Sequence, residues 1–137
     1  MGLLNVFDIA GSGLSAQTVR LNTVASNMAN ASNVSTKEGD VYRAKMPVFA
    51  SVMQGVNNDS SSQGVRVLRI EESSLDASKV YDPGNPLANK DGHVYQANVN
   101  SIEEMANMIS ASRSYQNNVE VMNTAKQLMQ ATLKLGQ

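Results

Sequence analysis

Apolar side chains recur every seven residues at both ends of this chain, and a heptad line of this kind marks a helix that needs a partner. Near the N-terminus Phe7, Leu14, Leu21 and Met28 share one line, with Ala10, Val24 and Ala31 three residues further on and Gln17 interrupting them. Near the C-terminus Met108, Tyr115, Met122 and Met129 repeat at the same interval, flanked by Met105, Ala111, Val119, Ala125 and Leu133. Such a period places the residues in a stripe along one side of a helix, where burial requires a second helix or a sheet. One stripe at each end of 137 residues makes pairing of the two ends the economical solution.

The head is a poor helix former taken alone. Gly11 and Gly13 each cost about 1 kcal/mol relative to alanine, and Asn22, Thr23, Asn27 and Asn30 add a few tenths each. Asn5 with Asp8 three residues on reads as its N-cap. Between residues 9 and 36 the single charged side chain is Arg20. Helices facing bulk water approach the globular average of about 25% charge. A face of Asn, Ser, Thr and Gln instead suits burial against protein, where amides hydrogen-bond across the contact. Both faces of this helix therefore read as interfaces.

Residues 37–100 hold most of the charge and read as strands and turns. VYRAKMPVFASV is a strand interrupted at Pro47, NNDSSSQG a polar loop, and GVRVLRIEES a half-buried strand with Val65, Val67 and either Leu68 or Ile70 set against Arg66 and Arg69. Pro83-Gly84, Asn85-Pro86 and Asp91-Gly92 are turn dipeptides. Ser101 with Glu104 has the form of a capping box opening the C-terminal helix, and Glu103, Glu104 and Lys134 suit its dipole. The expected fold is α+β: N- and C-terminal helices paired as a coiled coil, with a small β-rich middle. The divisions fall at 1–36 (helix and following extended segment), 37–100 (β-rich middle with turns) and 101–137 (C-terminal helix).

Chemistry finds little purchase. A formal net charge of −1 without a basic stripe argues against nucleic acid. The chain lacks cysteine, which removes disulfides and thiol chemistry, and His93 is the single imidazole. Gly11-Ser12-Gly13-Leu14-Ser15-Ala16 imitates a dinucleotide fingerprint but lacks the acidic residue about 20 positions on. Asp82, Asn85, Asn89 and Asp91 lack calcium-loop spacing and suit turns that bond their own backbone. No catalytic, cofactor-binding or metal-binding residues are expected, and the chain is not expected to be an enzyme. No run approaches the roughly 18 consecutive apolar residues of a membrane span, and no basic n-region announces a cleavable signal peptide.

The stretch LNTVASNMANASNVSTKEGDVYRAKMPVF, centred on Ala25-Ser26-Asn27-Met28-Ala29-Asn30, resembles the N-terminal signature of flagellar axial rod and hook proteins. From VYDPGNPLANKDGHVY onward the chain is similar to the proximal-rod members of that family. The most specific blocks are Asn98-Val99-Asn100, Glu103-Glu104-Met105, Ser110-Ala111-Ser112-Arg113 and Tyr115-Gln116. The resemblance implies a structural subunit of the basal-body rod in the periplasm, transmitting motor torque and lining the export channel. It implies export through the flagellar type III apparatus without a cleavable signal. The implied partners are the protein itself and other rod subunits (FlgB, FlgF and the rod-base protein FliE), with the membrane ring as a further candidate contact.

Within one subunit Phe7, Leu14, Leu21 and Met28 are then expected to face Met108, Tyr115, Met122 and Met129. Asn22, Asn27, Asn30, Gln116, Asn117 and Asn123 are expected to make contacts between subunits, through a head-to-tail interface that propagates as an open helix. The competing expectation is a coiled-coil adaptor or secretion chaperone that never polymerises.

Overall fold

The weakly helical head folds as one uninterrupted helix because its packing on the rest of the chain offsets its poor propensity. A computed structural model of the chain describes residues 3–54 and 62–135. Helix α1 spans Leu3–Ala29, so Asn5 lies inside the first turns rather than at the cap. The hydroxyls of Ser12, Thr18 and Thr23 donate to the carbonyls of Ile9, Leu14 and Val19 at 2.7, 2.9 and 2.9 Å. Thr23 is thereby buried without an unsatisfied hydroxyl.

After α1 the chain forms β1 (Val34–Ser35), a short 3-10 turn (Glu38–Asp40), β2 (Lys45–Gln54), β3 (Ser62–Glu72), β4 (Ser78–Tyr81), β5 (His93–Gln96) and α2 (Ser101–Leu135). The strands form two sheets. One is antiparallel with order β1-β5-β4, and Val94 on its central strand is buried. The other is the β2-β3 hairpin.

Strand β2 runs straight through Pro47, which pairs with Ile70, rather than breaking there. In a two-stranded sheet each strand is an edge, where proline's missing N–H goes unmissed. Val48 pairs with Arg69 and Phe49 with Val67, so Leu68 is the extra residue of a bulge. Of the polar loop expected over residues 57–64, residues 62–64 belong to β3 and residues 57–61 lie outside the described residues. The expected half-burial of β3 holds only for Val67; Val65, Leu68 and Ile70 are exposed. Among the described residues α1 is the element that covers the hairpin, and it covers one part. There the backbone N–H of Val65 donates to Ser12 Oγ at 3.1 Å, and Gly64 lies over Ser12 so closely that a Cβ would stand 3.1 Å from that oxygen.

The turn between β4 and β5 closes on itself. Asn89 Oδ1 accepts from the N–H groups of Asp91 and His93, both at 2.9 Å, and Asn85 Oδ1 accepts from Leu87 N–H at 3.0 Å. These side chains cap their own backbone, as expected for the turn reading. Gly92 adopts φ +74, and a Cβ there would meet the Tyr81 ring at 2.9 Å, so the position requires glycine on two counts.

Helix α2 is capped by Asn100, not by the expected Ser101 box. Asn100 Oδ1 accepts from the N–H groups of Ile102 and Glu103 at 3.1 and 3.4 Å, the second and third residues of the helix. Glu104 is thereby free to turn inward, where it is buried.

Candidate assembly interface

The helices α1 and α2 pack antiparallel on a seam of small side chains. Three contacts define the level of each turn: Gly13 with Asn118, Arg20 Nη2 donating to Asn107 Oδ1 at 3.1 Å, and Asn27 Nδ2 donating to Glu104 Oε2 at 3.1 Å. Gly13 to Asn27 and Glu104 to Asn118 are each two heptads, so the pairing keeps step on both helices. A Cβ at Gly13 would lie 2.8 Å from Asn118 Nδ2, so a larger residue there would displace the end of that side chain. Ala10 and Val24 on α1, and Ala111 and Ala125 on α2, are buried.

One side chain joins α1, α2 and the start of the hairpin. Asn27 is 1% exposed and its amide makes four hydrogen bonds. Its Nδ2 donates to the Lys45 carbonyl at 2.8 Å and to Glu104 Oε2. Its Oδ1 accepts from Lys45 N–H and from Tyr42 O–H, both at 2.8 Å. Asn98 repeats the device on the residue before Lys45. Its Oδ1 accepts from Ala44 N–H at 2.8 Å and its Nδ2 donates to the Leu75 carbonyl at 2.7 Å. Two asparagines thus hold the base of the hairpin between the ends of the helices.

The surface carries what the core omits. The buried apolar residues among those described are all alanine or valine. Large ones stand outside: Ile102 is 80% exposed, and Met105, Ile109, Val121, Leu128 and Leu133 are exposed along α2. Val6, Val121, Ala125 and Leu128 line an open groove of about 520 Å³ beside the helix pair. On α1 the exposed line is Asp8, Ser15, Asn22 and Ala29, with Thr18 and Ala25 beside it, and Asp8 is its one charge. Extended apolar exposure of this kind marks an interaction surface.

Two comparisons relate the chain to known proteins. Residues 7–35 match the family model for flagella basal body rod proteins, and residues 90–135 match the C-terminal model of the flagellar basal body rod FlgEFG proteins. Over its full length the chain is 54% identical to the flagellar basal-body rod protein FlgC of Yersinia enterocolitica and 50% identical to that of Salmonella typhimurium, covering 100% of each. Identity to the FlgC of Borreliella burgdorferi is 36%, with 98% of each chain covered. The chain belongs to the FlgC family of flagellar basal-body rod proteins. It is a structural subunit of the flagellar basal-body rod and not an enzyme.

For a FlgC-family rod subunit, the residues singled out in the sequence fall into distinct places. Phe7, Leu14, Leu21 and Met28 are half-buried along one side of α1, and Met108, Met122 and Met129 are half-buried on α2. Tyr115, expected in the seam, is exposed at 37%. The buried positions of the helix pair are held by the smaller Ala10, Val24, Ala111 and Ala125, with Gly13 against the Asn118 side chain.

Asn22, Gln116, Asn117 and Asn123 are exposed and available to a neighbouring subunit. Asn27 is not: its amide is fully used within the chain, which corrects its expected role as an intersubunit contact. Asn30 is half-buried and donates to the Ser26 carbonyl at 2.8 Å, closing the end of α1.

In the family motif, Ala25 and Ala29 face out, while Ser26 hydrogen-bonds the Tyr42 hydroxyl at 3.2 Å beside Asn27. Sequence reasoning missed Tyr42, Lys45 and Glu104 as partners of this motif. A signal was present: Asn27 continues the line Gly13–Arg20–Asn27, which lies beside the Ala10–Gln17–Val24–Ala31 line and so on the inner side of the helix.

Proposed function

We propose that the subunit polymerises helically through the exposed faces of α1 and α2, joining copies of itself and other rod subunits (FlgB, FlgF and FliE) in the periplasm. In this reading the two helices continue as a coiled coil around an axial channel, and the chain reaches its site through the type III export apparatus. Asn22, Gln116, Asn117 and Asn123 exchange amide hydrogen bonds between subunits, while Phe7, Leu14, Leu21 and Met28 flank the seam between α1 and α2. The supporting observation is the nearly uncharged exposed line of α1 beside the apolar exposure of α2, a combination that favours protein over water on the outside of the pair.

Ala25→Glu tests it, because the residue is exposed and contributes little to folding. The purified variant should unfold within about 0.5 kcal/mol of the parent. Cells carrying it should lack rods by electron microscopy of extracted basal bodies. Normal basal bodies and motility would show that this face meets solvent and not a neighbour.

A further inference from the structure

Both sheets of this chain end on free strand edges. Among the described residues β3 has no strand beyond β2, and β4 has none beyond β5. In an antiparallel pair, residues that bond across the pair alternate with residues whose N–H and C=O groups point outward. Ser73 N–H donates to the Ala44 carbonyl at 2.7 Å, so Glu72 and Ile70, opposite Lys45 and Pro47, turn their main-chain groups outward. On the β2 side the outward groups of Lys45 are taken by Asn27, and Pro47 brings no N–H, which closes that edge to a further strand. The β3 side is open there, and Ile70 is exposed. On β4, Asp82 N–H donates to the Gly92 carbonyl at 2.9 Å, and the same alternation turns Tyr81 and Lys79 outward, both exposed.

The two edges match. Set antiparallel, Glu72 comes opposite Lys79 and Ile70 opposite Tyr81, with Glu71 opposite Val80 between them. Opposite charges and aromatic–β-branched pairs are both favourable across strands. Pairing an edge with its own kind sets Ile70 against Glu72, or Tyr81 against Lys79, so the side chains favour the mixed joint. The ion pair of Glu72 with Lys45, at 3.8 Å and in solvent, holds Glu72 only weakly. Within one chain the joint does not form. There β3 and β4 lie in separate sheets, and the link between them is held by Ser73 on Ala44 and by Asn98 on the Leu75 carbonyl.

We propose that β3 of one subunit takes β4 of a second copy as its third strand. The joint is head-to-tail, leaves one edge of each kind free and so repeats. It rests on the proposed polymerisation of the subunit with its own copies.

The chain has no cysteine, so introduced thiols report the joint. One strain produces Glu71→Cys and Val80→Cys as separate chains, and its extracted basal bodies are oxidised. Opposed residues of this kind stand about 4.5 Å apart at Cα, within disulfide reach. The expected product is a dimer of one chain of each variant, with none from either variant alone. Glu72→Lys and Lys79→Glu should each lower the rods formed per cell about tenfold, since each sets like charges together, and both in one chain should restore them. A dimer from one variant alone, no mixed dimer, or no restoration overturns the joint. An amine cross-linker on the same basal bodies separates the two failures. Multimers of the subunit without the mixed disulfide leave polymerisation standing and overturn this joint alone, while absence of both overturns polymerisation as well.

Discussion

Asparagine carries the joints of this molecule, and it does so because one amide offers both donors and an acceptor within a few ångströms. Asn98 closes the Ala44 N–H and the Leu75 carbonyl at once, so Asn98→Ala orphans two backbone groups. A loss of about 1–3 kcal/mol is expected in urea titration. Asn100→Ala removes the cap of α2 and should cost about 1 kcal/mol, with fraying confined to the first turn by amide exchange. At Gly92 the positive φ and the Tyr81 ring act together, so Gly92→Ala should cost more than the roughly 1 kcal/mol of the backbone effect alone. The exposed ion pairs Lys45–Glu72 and Arg69–Glu71 contribute little by comparison, being screened by solvent.

At the scale of elements, periodicity made both long helices legible, while their contact surfaces were harder to read. Large apolar residues at heptad spacing looked like the centre of the seam, yet in the folded chain they flank it. Ala10, Val24, Ala111 and Ala125 are buried there, while Leu14 and Met122 are half-buried beside them. Leu21 still lies half-buried beside this seam, and Leu21→Asp puts a charge there that no partner neutralises. Extracted basal bodies from such a strain should lack rods. The hairpin was legible as strands but not as a projecting ribbon, since proline on β2 and apolar residues on β3 suggested interruption and burial. Burial depends on what stands opposite, and here only part of α1 does.

On the scale of the whole molecule, the partition of apolar side chains separates folding from assembly. Ile102 and Leu128 project from α2, so Ile102→Ser with Leu128→Ser should leave thermal unfolding almost unchanged while lowering the rods formed per cell. A large drop in the unfolding midpoint would place these residues in the subunit's own core.

The elements and their class followed from local chemistry: seven-residue periodicity, strand alternation, turn dipeptides and the absence of reactive side chains are all read over short spans. The family motif was equally visible, because it is contiguous from Ala25 to Asn30. The task of Asn27 was not visible, since its partners lie 15, 18 and 77 residues away; the line it shares with Gly13 and Arg20 marks its side of the helix but not those partners. A hydrogen bond forms only where donor and acceptor meet within about 3 Å. That meeting is arranged by the packing of α1 on α2 and on the hairpin, which no span of sequence contains.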